Sequence, residues 1–269
     1  MEWVRVLHGR TSLWAARGLD LMFPPRCPFC RRESDHRLAP PEHPAPEHPA
    51  EAAVGGAFWS ATVCAACDRE LSADVRRCLR CGQPGEHAAD TRGCQQRSQS
   101  WRRIVILSSY AGGLREAVLR AKRPAGDEVV AALASLIVRK HRDTLGSWEI
   151  DRVVPVPMHW LRRSLRGTSA ADELSRRIAG LLGLPWSRAL TRHRATPMQN
   201  ELPIADRPRN VEGAFRTRRR LDGERILLVD DVVTTGATLS SCVRALLAAG
   251  AVSVDVAVVA RADRSGADG

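Results

Sequence analysis

Lysine is nearly missing from this chain. Lys122 and Lys140 are the only lysines among 41 basic residues, so the formal charge of +11 rests on arginine. No glycine is followed by lysine, which excludes a Walker-type phosphate loop and a plain nucleoside-triphosphate site. No apolar run approaches the roughly 18–20 residues that span a bilayer, so no membrane insertion is expected. The first residues lack the unbroken apolar stretch of a secretory signal, because Arg5, Arg10, Arg17 and Asp20 interrupt it. A cytoplasmic protein is expected. The remainder is ordinary for a soluble protein: 269 residues, 44% hydrophobic and 26% charged, enough for one or two domains with a real core.

The arginines cluster at Arg76-Arg77, Arg102-Arg103, Arg162-Arg163 with Arg166, Arg176-Arg177, and Arg216 with Arg218 to Arg220. Such charge attracts polyphosphates or nucleic acid. An arginine bias of this kind is also what genomic base composition produces, and both readings stay open.

Seven of the eight cysteines lie between positions 27 and 94, as Cys27-Pro-Phe-Cys30, Cys64-Ala-Ala-Cys67, Cys78-Leu-Arg-Cys81 and Cys94. Three CxxC knuckles in a short region signal a zinc ribbon, each knuckle bringing two thiolates to one metal. Disulfides are the weaker reading for a cytoplasmic chain. The simplest pairing puts Cys27, Cys30, Cys64 and Cys67 around one structural Zn²⁺. Cys78, Cys81 and Cys94 then form a second site short of one thiolate. Arg97 stands where a fourth CxxC would close, and the second site either takes His87 as a substitute ligand or is empty. Pairing Cys64 and Cys67 with Cys78 and Cys81 is the alternative. Cys242 stands apart and reads as core. The Pro/Glu/His-rich stretch Pro40-Pro-Glu-His-Pro-Ala-Pro-Glu-His-Pro49 has no apolar period and reads as an extended insert.

The most telling stretch is Ile226-Leu-Leu-Val-Asp-Asp-Val-Val-Thr-Thr-Gly-Ala-Thr-Leu239. Ile226 to Val229 read as a buried parallel strand. Asp230 and Asp231 follow at its carboxyl end, where open α/β sheets bind ligands. Thr234, Thr235, Gly236, Ala237 and Thr238 offer hydroxyls and backbone N–H groups at a helix N-terminus, which suits phosphate. Leu239, Cys242, Val243, Leu246 and Leu247 then mark one buried helical face, and Gly250 suits its end. Val252 to Ala260 reads as the next strand. This order of strand, acid pair, hydroxylated turn and helix builds a pocket for a sugar phosphate.

That stretch resembles the phosphoribosyl-pyrophosphate (PRPP) loop of type I phosphoribosyltransferases. Taken with the cysteines, the chain resembles the ComF/GntX family of competence-associated proteins. The resemblance rests also on Leu21-Met-Phe-Pro-Pro-Arg-Cys27, Tyr110-Ala-Gly-Gly-Leu-Arg115, Leu119-Arg-Ala-Lys122 and Asp151-Arg-Val-Val-Pro-Val-Pro157. Arg166-Gly167, Arg192 to Gln199, Arg207 with Asn210, Gly213-Ala-Phe215 and Ala260-Arg261 complete it, over roughly residues 19 to 261. Where the family commonly reads Arg-Gly-Phe-Asn-Gln, this chain reads Arg166-Gly-Thr-Ser-Ala170. The change removes an aromatic face and two amides near the pyrophosphate loop.

The resemblance implies an α/β, type I phosphoribosyltransferase fold, a parallel sheet flanked by helices, with an N-terminal zinc-ribbon module. It implies a helical segment at 1–25, a zinc ribbon at 26–100 with its insert at about 34–57, a transferase domain at 101–262 and a disordered tail at 263–269. Asp230 and Asp231 would hold the ribose hydroxyls, and Thr234 to Thr238 the 5-phosphate. Arg162, Arg163 and Arg166, with Lys122 near the end of a short helix from Leu114, would meet pyrophosphate. A solvated Lys122 is the plainer alternative. Ala170 to Leu181 reads as a helix and Arg192 to Phe215 as a lid. Mg²⁺ would accompany PRPP. The implied activity is phosphoribosyl transfer to an unknown nitrogenous acceptor, linked to DNA uptake, competence or DNA utilisation. The alternative is a non-catalytic, PRPP- or nucleotide-responsive protein that binds single-stranded DNA, with Trp59 and Trp101 stacking on bases. Competence or DNA-processing proteins are the expected partners.

Overall fold

The computed structural model describes residues 26–33, 63–73, 76–85, 94, 99–158, 169–193 and 213–263. Its elements run α1 (Ala65–Leu71), β1 (Ile104–Ser109), α2 (Gly112–Ala121), α3 (Asp127–Lys140), α4 (Arg142–Gly146) and β2 (Arg152–Pro155). They continue as α5 (Ala170–Leu182), β3 (Leu190–Arg192), β4 (Phe215–Thr217), β5 (Arg225–Val233), α6 (Ala237–Ala248) and β6 (Ser253–Arg261). The N-terminal segment, the Pro/His-rich insert, Trp59, His87, Arg97, Arg162, Arg163 and Arg166 lie outside the described residues.

One sheet carries the strands in the order β1-β6-β5-β2, and every pairing in it is parallel. Parallel strands bury both faces, so they read as near-continuous apolar runs rather than alternations. Side chains nevertheless alternate in direction. Val105, Leu107, Val153, Leu227, Val229, Ala257 and Val259 point into one core, shared with residues of α2, α3 and α5. Ile104, Ile106, Val154, Ile226, Leu228, Val256 and Val258 point into a second core, closed by α6 and by Leu190 and Phe215 of the β3–β4 ribbon. Every residue of α3 from Val129 to Val138 is buried. A helix apolar all round belongs inside a core. Leu228 is fully buried, and Leu228→Ala is expected to lower the unfolding free energy by about 2–5 kcal/mol, read by denaturant titration.

Many arginines are taken up by the fold itself. Asp255, 2% exposed, receives Arg102 and Arg103 through both of its oxygens. Arg225 pairs with Asp151, and Glu224 with Arg152 and Arg219. Arg77 binds Asp263 and Ser109. Asp263 falls in the stretch the sequence suggested as a tail, and it is anchored here. No helix among the described residues is long and apolar enough to cross a membrane.

Candidate functional site

β5 outruns its neighbour. β2 pairs with it only as far as Pro155↔Val229, whereas β6 pairs on to Val233↔Arg261. Asp230 and Asp231 therefore sit on a strand that β6 still supports on one side and that opens to a cleft on the other. The cleft has a volume of about 550 Å³, and its wall includes Lys122, Ser169, Asp230, Asp231, Thr234 and Thr238.

Adjacent strand residues point to opposite sides, and the two acids divide accordingly. Asp231 Oδ2 lies 2.8 Å from Lys122 Nζ, so Lys122 is not a freely solvated lysine. Lys122 is the C-cap of α2, which delivers it to the cleft. Burial opposes its charge, but Asp231, together with Asp230 and Tyr110, outweighs burial and raises the ammonium above its ordinary value. Asp230 Oδ1 accepts the Asp231 N–H at 2.9 Å. Burial, and then the Asp231 charge, push the Asp230 carboxyl well above the usual carboxylate range. Cys242, fully buried nearby, is a core thiol.

The turn after β5 ends at Gly236, which has φ +80° and is the N-cap of α6. Glycine takes this left-handed conformation without a Cβ penalty. Gly236 places no side chain of its own over the first turn of α6, where the Ala237 N–H meets Thr235 Oγ1 at a long 3.4 Å, so the helix N-terminus stays open to an anion. A second helix opens onto the same cleft, because Ser169, Ala170 and Ala171 at the start of α5 line it. The buried Ser169 Oγ has no hydrogen-bond partner among the described residues. It is an unused donor and acceptor within the Arg166-Gly-Thr-Ser-Ala170 departure, and only its place in the fold exposes that role. The ends of the stretch expected to form a lid are paired strands, Arg192 facing Phe215, and its middle is outside the described residues.

Trp101 does not offer the stacking face expected of it. Its side chain is 1% exposed, its Nε1–H donates to the Arg80 carbonyl at 2.9 Å, and its ring lies behind Gly236. This contact was invisible in the sequence, since nothing local links a tryptophan to a loop so far along the chain.

The cysteines fall into two groups. The sulfurs of Cys27, Cys30, Cys64 and Cys67 all lie within 4.8 Å of one another, as do those of Cys78, Cys81 and Cys94. A tetrahedron of ~2.3 Å Zn–S bonds has edges of about 3.8 Å. The Cys30 and Cys64 sulfurs are 3.6 Å apart, close to such an edge and far from a disulfide. Two of the three knuckles share one design, while the third, Cys64 to Cys67, opens α1. Cys27 N donates to Arg32 O at 2.9 Å and Cys78 N to Gln83 O at 2.9 Å, with Arg31 (φ 63°) and Gly82 (φ 75°) left-handed at equivalent places. Burial alone would raise the Cys27 thiol, but the amides of Cys30, Cys64 and Phe29 outweigh it and bring it down to about 7. Both donor sets fit a thiophilic metal.

Both groups grip elements of the cleft. Arg120 of α2 donates to the Pro28 and Phe29 carbonyls of the first knuckle. Arg139 pairs with Asp68, and Lys140 donates to the Ser72 and Ala73 carbonyls. The second knuckle holds Trp101 in the same way.

The phosphoribosyl transferase domain family has a model that matches residues 125–268. The chain is 36% identical over 199 residues to the DNA utilization protein YhgH of Salmonella typhimurium, covering 72% of this chain and 88% of that protein. Competence protein F of Haemophilus influenzae is 28% identical over 208 residues, 74% of this chain and 90% of its own. A hypoxanthine/guanine phosphoribosyltransferase of Methanohalobium evestigatum is 35% identical over 77 residues, 29% of this chain and 40% of its own. With a parallel sheet flanked by helices, an acid pair at the open end of a central strand and a family model matching over half its length, the chain belongs to the phosphoribosyl transferase domain family.

Proposed function

We propose that this protein binds PRPP with Mg²⁺ and transfers its phosphoribosyl group to a negatively charged nitrogenous acceptor, in the handling of DNA or its breakdown products. The observation that carries this reading is the meeting of four features in one cleft: the acid pair, Lys122, and the N-termini of α5 and α6. PRPP has two phosphate ends and a diol between them, and the cleft has two anion-ready helix ends with two carboxylates between them.

In this reading Asp230 and Asp231 accept hydrogen bonds from the ribose hydroxyls, and Thr234 to Thr238 wrap the 5-phosphate. The C1–O bond to pyrophosphate breaks as the acceptor nitrogen attacks C1. Lys122, Ser169 and the arginines Arg162, Arg163 and Arg166 meet the departing pyrophosphate. Catalysis then rests on positioning and charge stabilisation. Asp230 and Asp231 are hard oxygen donors suited to Mg²⁺, which would neutralise pyrophosphate charge when bound. Zn²⁺ is the metal proposed for the thiolate groups, in a reducing, cytoplasmic setting.

A hollow of about 170 Å³, placed to receive the acceptor, shares Pro157, Met158 and Arg192 with the cleft. Arg188, Arg192 and Arg218 line it against one carboxylate, Asp172, which Arg188 holds at 3.3 Å. Arg218 adds positive charge beyond the Arg188–Asp172 pair, which favours an anion. The names of YhgH and Competence protein F support a setting in DNA utilisation or competence, with DNA-processing proteins as partners. Single-stranded DNA enters the test as a carrier of anionic acceptors.

The experiment is pyrophosphate release from PRPP and Mg²⁺ with orotate, nicotinate, neutral purines or 5′-phosphorylated single-stranded oligonucleotides. An anionic acceptor is expected to stimulate release. Arg188→Gln or Arg218→Gln is expected to raise its KM ~10-fold or more while leaving the KM for PRPP unchanged. Stimulation by neutral bases alone would remove the charge argument. PRPP binding without release for any acceptor would leave a binding protein rather than a transferase.

A further inference from the structure

We infer that Trp101 is a positioning residue for the phosphate loop, and that metal held by Cys78, Cys81 and Cys94 sets PRPP affinity through it. The inference rests on the PRPP reading above and adds a control point to it. A Cβ placed on Gly236 would lie 2.7 Å from Trp101 Cη2 and 3.4 Å from Cζ3. The indole ring is therefore the back wall of the loop. With it in place, Gly236 stays left-handed and the α6 amides stay aimed at the cleft before any phosphate arrives. Such preorganisation raises affinity by removing the cost of ordering the loop.

The ring is held from the far side by the second knuckle. Three consecutive carbonyls of that knuckle accept from the transferase fold. Leu79 O takes Ile104 N–H at 2.7 Å, Arg80 O takes Trp101 Nε1–H at 2.9 Å, and Cys81 O takes Arg261 Nη1–H at 2.9 Å. Arg80 returns the contact, its guanidinium donating to the Trp101 and Arg102 carbonyls at 3.0 and 3.1 Å. Gly82 lies so close to Ile106 that a Cβ there would collide with it. Those carbonyls point correctly only while the Cys78-Leu-Arg-Cys81 turn keeps its shape. The turn folds its own amide onto sulfur, Arg80 N lying 3.4 Å from Cys78 Sγ. The three buried sulfurs lie within 4.8 Å of one another, and a thiophilic metal that replaces their protons ties them to one centre and fixes the shape of the turn. Loss of metal opens the turn, frees the indole and lets the loop retreat.

The 5-phosphate end of the ligand should feel this and the pyrophosphate end should not. That difference separates positioning from general damage. Calorimetric titrations would use PRPP, ribose 5-phosphate and inorganic pyrophosphate as probes, on the full chain with metal content measured. Wild type is expected to carry two metal equivalents. Trp101→Ala and Cys78→Ser/Cys94→Ser are each expected to lower ribose 5-phosphate affinity ~10-fold, with pyrophosphate affinity unchanged. Because both act through one contact, combining them should add little. Trp101→Phe fills most of the space but lacks the N–H and the outer ring, so it should show the same selective loss if Trp101→Ala fails to fold. Equal losses for both probes, full additivity, or a wild type with one metal equivalent would overturn the inference. A wild type that binds neither PRPP nor ribose 5-phosphate would instead overturn the PRPP reading itself.

Discussion

Asp231→Asn is expected to weaken PRPP binding ~10–100-fold, and Asp230→Asn/Asp231→Asn to abolish measurable heat in calorimetric titration. Each carboxylate is assigned a hydrogen bond from a ribose hydroxyl, and a hydrogen bond to a charged group contributes about 1.5–3 kcal/mol. Losing both amounts to ~3–6 kcal/mol, or roughly two to four orders of magnitude in affinity. Asp231→Asn also frees Lys122 from its 2.8 Å partner. Stability should move the other way at Asp230. Its folded pKa lies above the ordinary value because burial and Asp231 disfavour the charge. Between about pH 4, where an unfolded carboxyl titrates, and the folded pKa, the native state binds more protons than the unfolded state. Stability therefore falls as pH rises through that window. Asp230→Asn removes the cost, so its Tm should exceed that of wild type at pH 7 and converge with it at and below about pH 4. A Tm at pH 7 below that of wild type would mean that the charged form is stabilised in the native cleft. The trade of stability for binding is common where a site must hold like charges together.

The second large effect concerns the first cysteine group. Cys27→Ser/Cys67→Ser is expected to strip its metal and release α1 and the first knuckle from the fold. A structural zinc site contributes ~10–16 kcal/mol of apparent binding free energy. Apolar burial holds this segment only weakly, since its buried residues, Cys27, Val63, Cys67 and Leu71, reach the main core as a thin layer. The loss should travel to the cleft. Arg120 would lose the Pro28 and Phe29 carbonyls, and it lies two residues before Lys122. Gly113 now approaches Glu70 so closely that a Cβ there would collide, and that packing would go as well. Hydrogen exchange should show lost protection at 63–73 and 112–122, with β5 and β6 protected as before. Full protection at 112–122 after verified metal loss would show that α2 holds its place unaided.

The site's local half was legible in the sequence, and its long-range half was not. The run from Ile226 to Leu239 declares itself because strand, turn and helix each leave a signature over adjacent residues. The fold follows that reading closely, with β5, Gly236 at φ +80° and α6 in that order. The helix read at Ala170 to Leu181 is α5, one residue longer. Cysteine spacing likewise carries its own meaning, and the structure collects Cys27, Cys30, Cys64 and Cys67 in one place. α3 was harder to see, because a helix buried on all sides has no polar face to give it a period. β3 and β4, three residues each, are too short for any alternation to register. The pairing of Lys122 with Asp231 and the seat of Trp101 behind Gly236 join distant parts of the chain. Such contacts are made by topology and leave no trace in local composition.

The place of β1 bears on how this protein can be divided. The segment that matches the family begins at residue 125 and carries the acid pair and the loop proposed to bind phosphate. A fragment cut there would leave behind Lys122, Trp101 and the whole of β1. Residues from Val256 to Arg261, now paired with β1, would become a bare rim of unclaimed N–H and C=O groups. An exposed, flat, apolar rim of that kind recruits strands from other molecules. The minimal fragment would thus gain a self-templating surface that the longer chain keeps covered, and β1 serves as its guard.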